Sequence, residues 1–175
     1  LALGVTNALT RDAIERQNQS KQEQARQAVF PGAEFESAEA RLADIRAQDE
    51  RFSAVSGAYY AIVDGQRRGC VILLQGKGYG GSLELTVGVT ADGTVAGVVL
   101  GSHSETPGLG ANATGEDFLG QFAGKQAPLT VVKGKATADD QIEALTSATI
   151  TSRGVTDAVN LTAKFGAALL EGEDG

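Results

Sequence analysis

LTSATITSRGVTDAVN, residues 145–160, joins a hydroxyl-rich loop to the start of an amphipathic helix. Five of its first eight residues carry a hydroxyl: Thr146, Ser147, Thr149, Thr151 and Ser152. Beyond them Val155, Ala158, Val159, Thr162, Ala163, Phe165, Gly166 and Leu169 recur at three- and four-residue steps. That period predicts a helix over about 152–170 with one apolar face. Thr151 or Ser152 is the expected N-cap, because a short side-chain oxygen can accept from the unpaired N–H groups of the first turn. Those N–H groups and the positive end of the helix dipole together favour an anion there, such as a phosphate. On spacing alone the plainer reading, a capped helix and nothing more, is preferred, since Ser and Thr are ordinary caps.

Outward from this helix, the preceding chain reads as strands joined by tight turns. GAYYAIV (57–63) ends at Asp64-Gly65, a hairpin signal, and GCVILLQ (69–75) follows. SLELTVGV (82–89) alternates polar and apolar residues and ends at Asp92-Gly93, before TVAGVVL (94–100). The pattern predicts an antiparallel meander with one face buried. Residues 115–123 read as a short helix, 129–133 as a strand, and 139–145 as the lead into the hydroxyl loop. Residues 11–28 are rich in Gln, Arg, Lys and Glu, with a thin apolar stripe of Ala13, Ile14, Ala25 and Ala28. They suit a solvated helix, either a stalk or one docked on the sheet, ended by Phe30-Pro31-Gly32. Residues 36–50 give no sharp signal. The fold class is α+β: a mostly antiparallel sheet with flanking helices, one at each end of the chain.

Length and charge narrow the function. The 175 residues fit one domain or two small lobes, and a net charge of −7 argues against duplex nucleic acid as a partner. No run of about 18 apolar residues is present to span a membrane. With no Met even at position 1, a truncated or processed chain is expected. The single Cys70 and single His103 cannot build a disulfide or a His-based metal cluster, and Cys70 reads as a buried strand residue.

Two further stretches carry chemistry. His103-Ser104-Glu105-Thr106-Pro107-Gly108-Leu109-Gly110 follows a strand, and its Pro-Gly predicts a tight turn. Gly78-Tyr79-Gly80-Gly81 precedes a strand, where such glycines mark a bulge or turn. Locally, each is also compatible with a plain loop. Together with Thr146-Ser147-Ala148-Thr149 and Thr151, however, they resemble a known FMN-binding domain. It is the one found in the G subunit of Rnf-type electron transport complexes and in the C subunit of the sodium-pumping NADH:quinone oxidoreductase. The likeness runs from about residue 76 to residue 160, with weaker agreement at FPGAEF.

The resemblance implies a covalent cofactor, FMN joined by a phosphoester to Thr149, with Thr146, Ser147, Ala148 and Thr151 around the phosphate. It implies ring contacts from Glu105, Thr106, Leu109 and Gly110, with Tyr79 shielding or packing and Lys133 as a basic neighbour. One position departs from the pattern: the family's Gly is Ser147 here, which is strained if that site needs a positive φ or a close approach. The implied domains are a membrane-proximal helix over 1–30 and an FMN-binding domain over 31–175, with the apolar start, 1–10, as the last turns of a membrane helix. The implied partners are the other subunits of a membrane electron-transport complex, a flavin transferase during maturation, and the membrane through an upstream helix. The implied location is the extracytoplasmic face. The alternative is a non-redox assembly or ligand-binding module that keeps the fold without flavin; a stand-alone reductase is disfavoured, since no GxGxxG fingerprint follows a strand.

Overall fold

The computed structural model describes the backbone of residues 2–171 and side chains from residue 10 to residue 171. In chain order the elements are α1 (Ala2–Val29), β1 (Glu34–Ser37), α2 (Glu39–Arg46), β2 (Val55–Val63), β3 (Gln66–Lys77), β4 (Ser82–Thr90), β5 (Val95–His103), α3 (Glu116–Leu119), β6 (Thr130–Val132), β7 (Gln141–Glu143) and α4 (Thr149–Glu171). Short 3-10 turns at Glu50–Ala54 and Gly110–Thr114 complete the path. The expectation that residues 1–10 continue a membrane helix rests on side chains outside the described residues. No helix among the described residues is long and apolar enough to cross a membrane.

Strands β1 to β5 form one antiparallel sheet in sequential order. The expected α+β class with a meander is therefore the observed one. Asp64 and Gly65 both have positive φ, 53° and 72°, as a two-residue hairpin turn matched to strand twist requires. The second hairpin is wider: Gly93 donates to the Thr90 carbonyl and Thr90 to the Thr94 carbonyl, so Asp92-Gly93 sits within a longer loop. β6 and β7 form a separate parallel pair. Asn160 of α4 holds β6 in place by accepting from the Leu129 N–H at 2.7 Å and donating to the Leu129 carbonyl at 2.9 Å.

The sheet is covered on both faces, not one. Strand alternation sends Cys70, Ile72 and Leu74 of β3 to one side, with Leu83, Leu85, Val87 and Val89 of β4. There they meet Val155, Ala158, Val159, Phe165 and Leu169 of α4, the face read from sequence spacing. Val71 and Leu73 point the other way and are covered, with Ala61, by Val29, Phe30 and Ala33. This second cluster is why the run Cys-Val-Ile-Leu-Leu is continuously apolar. Residues 10–24 of α1 are exposed, whereas Val29 and Phe30 are buried. Helix α1 is thus solvated from residue 10 to residue 24 and docked at its end.

The segment 36–50, which gave no periodic signal, holds the edge strand β1 and helix α2. Only Leu42 and Ile45 of α2 are buried, too few for a readable stripe.

Candidate functional site

Helix α4 begins at Thr149, three residues before the position its apolar stripe suggests. The two expected caps lie inside the first turn and do other work. The Ser152 hydroxyl accepts from the Leu145 N–H at 3.0 Å and donates to the Ala148 carbonyl at 2.9 Å. The Thr151 hydroxyl donates to Glu105 Oε2 at 2.6 Å. Both residues are buried. The loop leading in turns through Ser147, whose φ is 62°. This is the left-handed region where a glycine is unstrained and a serine is not.

The start of α4 lies close against the end of β3. A Cβ on Gly154 would fall 1.9 Å from the Lys77 carbonyl oxygen, so only glycine permits this crossing. The crossing brings the hydroxyl loop beside the Gly78–Gly81 turn and the loop after β5. A cavity of about 450 Å³ opens where the three meet, lined by Tyr79, Glu105, Thr106, Leu109, Gly110, Ser147, Ala148, Thr149, Ile150 and Thr151. That volume lies within the range of small-molecule sites.

The lining is divided in character. Tyr79, Leu109 and Ile150 are 74%, 45% and 54% exposed, and they are three of the four large apolar side chains exposed among the described residues. Three exposed apolar groups around one cavity form a platform suited to a flat ring. The first turn of α4, which carries Ile150, is part of the same lining, and the N–H groups of residues 149–151 have no carbonyl one turn earlier in the helix. Thr149 is half-buried, and its hydroxyl has no hydrogen-bond partner among the described residues. Of the five hydroxyl residues, those at 151 and 152 are bonded internally, Thr146 and Ser147 are exposed, and Thr149 alone is both sheltered and open to the cavity.

Glu105 is 6% exposed, and both its oxygens are engaged. Oε1 accepts from the Gly80 N–H at 2.9 Å, and Oε2 from Thr151. Its own N–H donates to His103 Nδ1 at 3.2 Å. Most of the residues named from sequence therefore come together at the cavity, from Tyr79 through Glu105, Thr106, Leu109 and Gly110 to the hydroxyl loop. Thr146 and Lys133 are exposed outside the lining. Ile150 went unread, although it is an apolar residue standing off the α4 core stripe, a mismatch that marks a side chain facing something other than the sheet.

The fold and this site define a class: an α+β cofactor-binding domain with an apolar ring platform beside a helix start suited to an anion. Residues 78–164 match the family described as an FMN-binding domain. The chain is 47% identical over 114 residues to the G subunit of the proton-translocating ferredoxin:NAD(+) oxidoreductase complex of Clostridium ljungdahlii, covering 63% of this chain and 61% of that one. It is 43% identical over 88 residues to the G subunit of the Na(+)-translocating ferredoxin:NAD(+) oxidoreductase complex of Acetobacterium woodii, covering 49% and 42%. The match thus spans about two fifths to three fifths of these relatives. Among solved structures, NqrC of Shewanella oneidensis superposes with a TM-score of 0.54 at 30% identity, covering 63% of this chain and 55% of that one. The C subunit of the Na(+)-translocating NADH-quinone reductase of Parabacteroides distasonis gives 0.55 at 29%, covering 68% and 64%.

Proposed function

We propose that this chain is an electron-transfer flavoprotein of a membrane-bound, ion-translocating ferredoxin:NAD oxidoreductase of the Rnf type, with FMN joined as a phosphoester to Thr149. The observation that carries the reading is Thr149 at the start of α4, its hydroxyl without a partner among the described residues, in the cavity that Tyr79, Leu109 and Ile150 also line. The fit to FMN rests on that pairing. An anionic tail suits the unpaired N–H groups and dipole of α4, and a flat ring suits Tyr79, Leu109 and Ile150. Bound there, FMN would supply one- and two-electron chemistry.

The protein's residues do the rest. Leu109, Tyr79 and Ile150 limit water at the ring, and Thr106 offers a polar contact at its edge. The N–H groups of residues 149–151 stabilise the remaining phosphate charge. Thr149 is a point of attachment, and a separate flavin transferase is needed to form the bond. In that step the Thr149 oxygen bonds to the FMN phosphorus of FAD, the pyrophosphate P–O bond breaks, AMP leaves, and the hydroxyl proton passes to solvent. The remaining subunits of the complex would be the electron partners, and an upstream helix would anchor the domain on the extracytoplasmic face. Protease accessibility of the domain in cells with a permeable outer wall checks that face.

Co-expression with a flavin transferase tests the attachment. The intact mass should rise by one FMN, peptide mapping should put the adduct on Thr149, and Thr149→Ala should abolish it. An unmodified wild-type chain, under conditions that load a known Rnf flavoprotein of this family, rejects the assignment.

A further inference from the structure

Glu105 is nearly sealed from solvent, lies between three loops distant in sequence, and spends both carboxylate oxygens on the protein itself. The glycines around it are spaced for that carboxylate. A Cβ on Gly78 would fall 2.0 Å from Oε1, and one on Gly110 would fall 1.8 Å from Oε2. Two glycines that look made to admit a ligand are filled instead by a side chain of the chain itself. A buried carboxylate without donors is costly, so the Gly80 N–H and the Thr151 hydroxyl are held by it as firmly as it is held by them.

We propose that Glu105 is a positioning residue: its carboxylate locks Thr151 in the first turn of α4 against the Gly78–Gly81 turn, and so fixes the direction in which Thr149 presents its hydroxyl. Thr149 and Thr151 share the first turn of α4 and both line the cavity, so anchoring Thr151 to Glu105 fixes the rotation of that turn and with it the direction of Thr149. The same bond couples the loop that would face the ring to the loop that would carry the phosphate. This inference rests on the attachment of FMN at Thr149. It adds that presentation of the hydroxyl depends on a residue 44 positions away in sequence whose side chain is 6% exposed.

Two readouts test it, one of them independent of any flavin. In the unloaded full chain, hydrogen exchange at the amides of Leu145, Ala148 and Ser152, which are hydrogen-bonded within the loop, should accelerate at least tenfold in Glu105→Ala and in Thr151→Val, with β3 and β4 amides unchanged. With the transferase, both variants should take up FMN at least tenfold more slowly than wild type. The double variant should be no slower than the worse single variant, because both changes remove one bond. Glu105→Gln, which still accepts from Gly80 and can donate to Thr151, and Thr151→Ser should each restore most of the rate. Thr151→Val is nearly isosteric and decides the matter if Glu105→Ala does not fold. Wild-type exchange and wild-type loading in Thr151→Val overturn the proposal, as do losses that multiply in the double variant. A wild-type chain that never loads rejects the attachment at Thr149, and the exchange experiment then still decides whether Glu105 orders the loop.

Discussion

Ser147 shows how the backbone of one residue can report on a site. A non-glycine residue at φ 62° carries left-handed strain of roughly 1–2 kcal/mol, part of which a glycine would return as lost chain entropy on folding. Ser147→Gly should therefore stabilise the chain by about 0.5–1 kcal/mol, a rise in melting temperature of roughly 1–4 °C. A fall on thermal melting would mean that the serine side chain holds the loop by a contact worth more than the strain. Leu109 makes the complementary case. It is 45% exposed at the cavity, so its truncation should cost well below the ~2–5 kcal/mol of a core leucine. We expect Leu109→Ala to stay folded and to be flavinylated, with a shifted flavin absorbance or reduction potential because water reaches the ring more freely. Spectroelectrochemical titration beside thermal melts checks this. An unchanged spectrum with a large loss of stability would make Leu109 a core residue.

At the scale of elements, what could be read from sequence was what local chemistry enforces. Asp64-Gly65 marks a turn because its backbone needs two positive φ angles, and the α4 stripe marks a helix because its face must cover β3 and β4. The site loops were legible only as residue patterns, since nothing local says that residues 78, 105 and 151 meet. α4 starts three residues before its apolar stripe does, for a physical reason: the hydroxyls that look like caps are bonded inside the first turn, to Ala148 and Glu105. The parallel β6–β7 pair, three residues a strand, is too short to show a period. Cys70, at the centre of β3, gives this scale a quantitative test. Burial pushes its thiol from 9.0 up to about 12. The fold keeps that proton, while the unfolded chain loses it above pH 9. Stability from this group is therefore intact below pH 9 and falls as pH rises from 9 toward 12, by about 1.4 kcal/mol per unit. Urea midpoints at pH 8 and 10.5 should fall further for wild type than for Cys70→Ala. Equal falls would show that the thiol is not sealed.

At the scale of the whole molecule, the question is where the folded unit begins. A division at residue 30 follows from reading α1 as a stalk, but the packing argues that the unit reaches back into the last two turns of that helix. Val29 and Phe30 cover Ala61, Val71 and Leu73 on the sheet face opposite α4. Arg26 lies over the Tyr59 ring at 4.3 Å, and Gln27 donates to the Ala33 carbonyl at 2.9 Å. A Cβ on Gly88 would fall 2.7 Å from the Val29 carbonyl oxygen, so the helix end sits directly on the backbone of β4. Upstream of residue 25 the described side chains are exposed, and their loss removes little apolar burial. A chain starting at residue 23 should therefore unfold in urea at the wild-type midpoint. A chain starting at residue 31 loses two buried side chains and uncovers the strand residues beneath them. At ~1.5–3 kcal/mol for each buried side chain, it should be less stable by about 3–6 kcal/mol. The cavity lies at the start of α4, the helix that covers the other sheet face, so the shorter chain tests the two faces separately. If both truncations melt with wild type, α1 is a stalk throughout and the second cluster adds nothing to the fold. If the chain from residue 31 melts early yet is still modified at Thr149, the helix end stabilises the sheet without shaping the site.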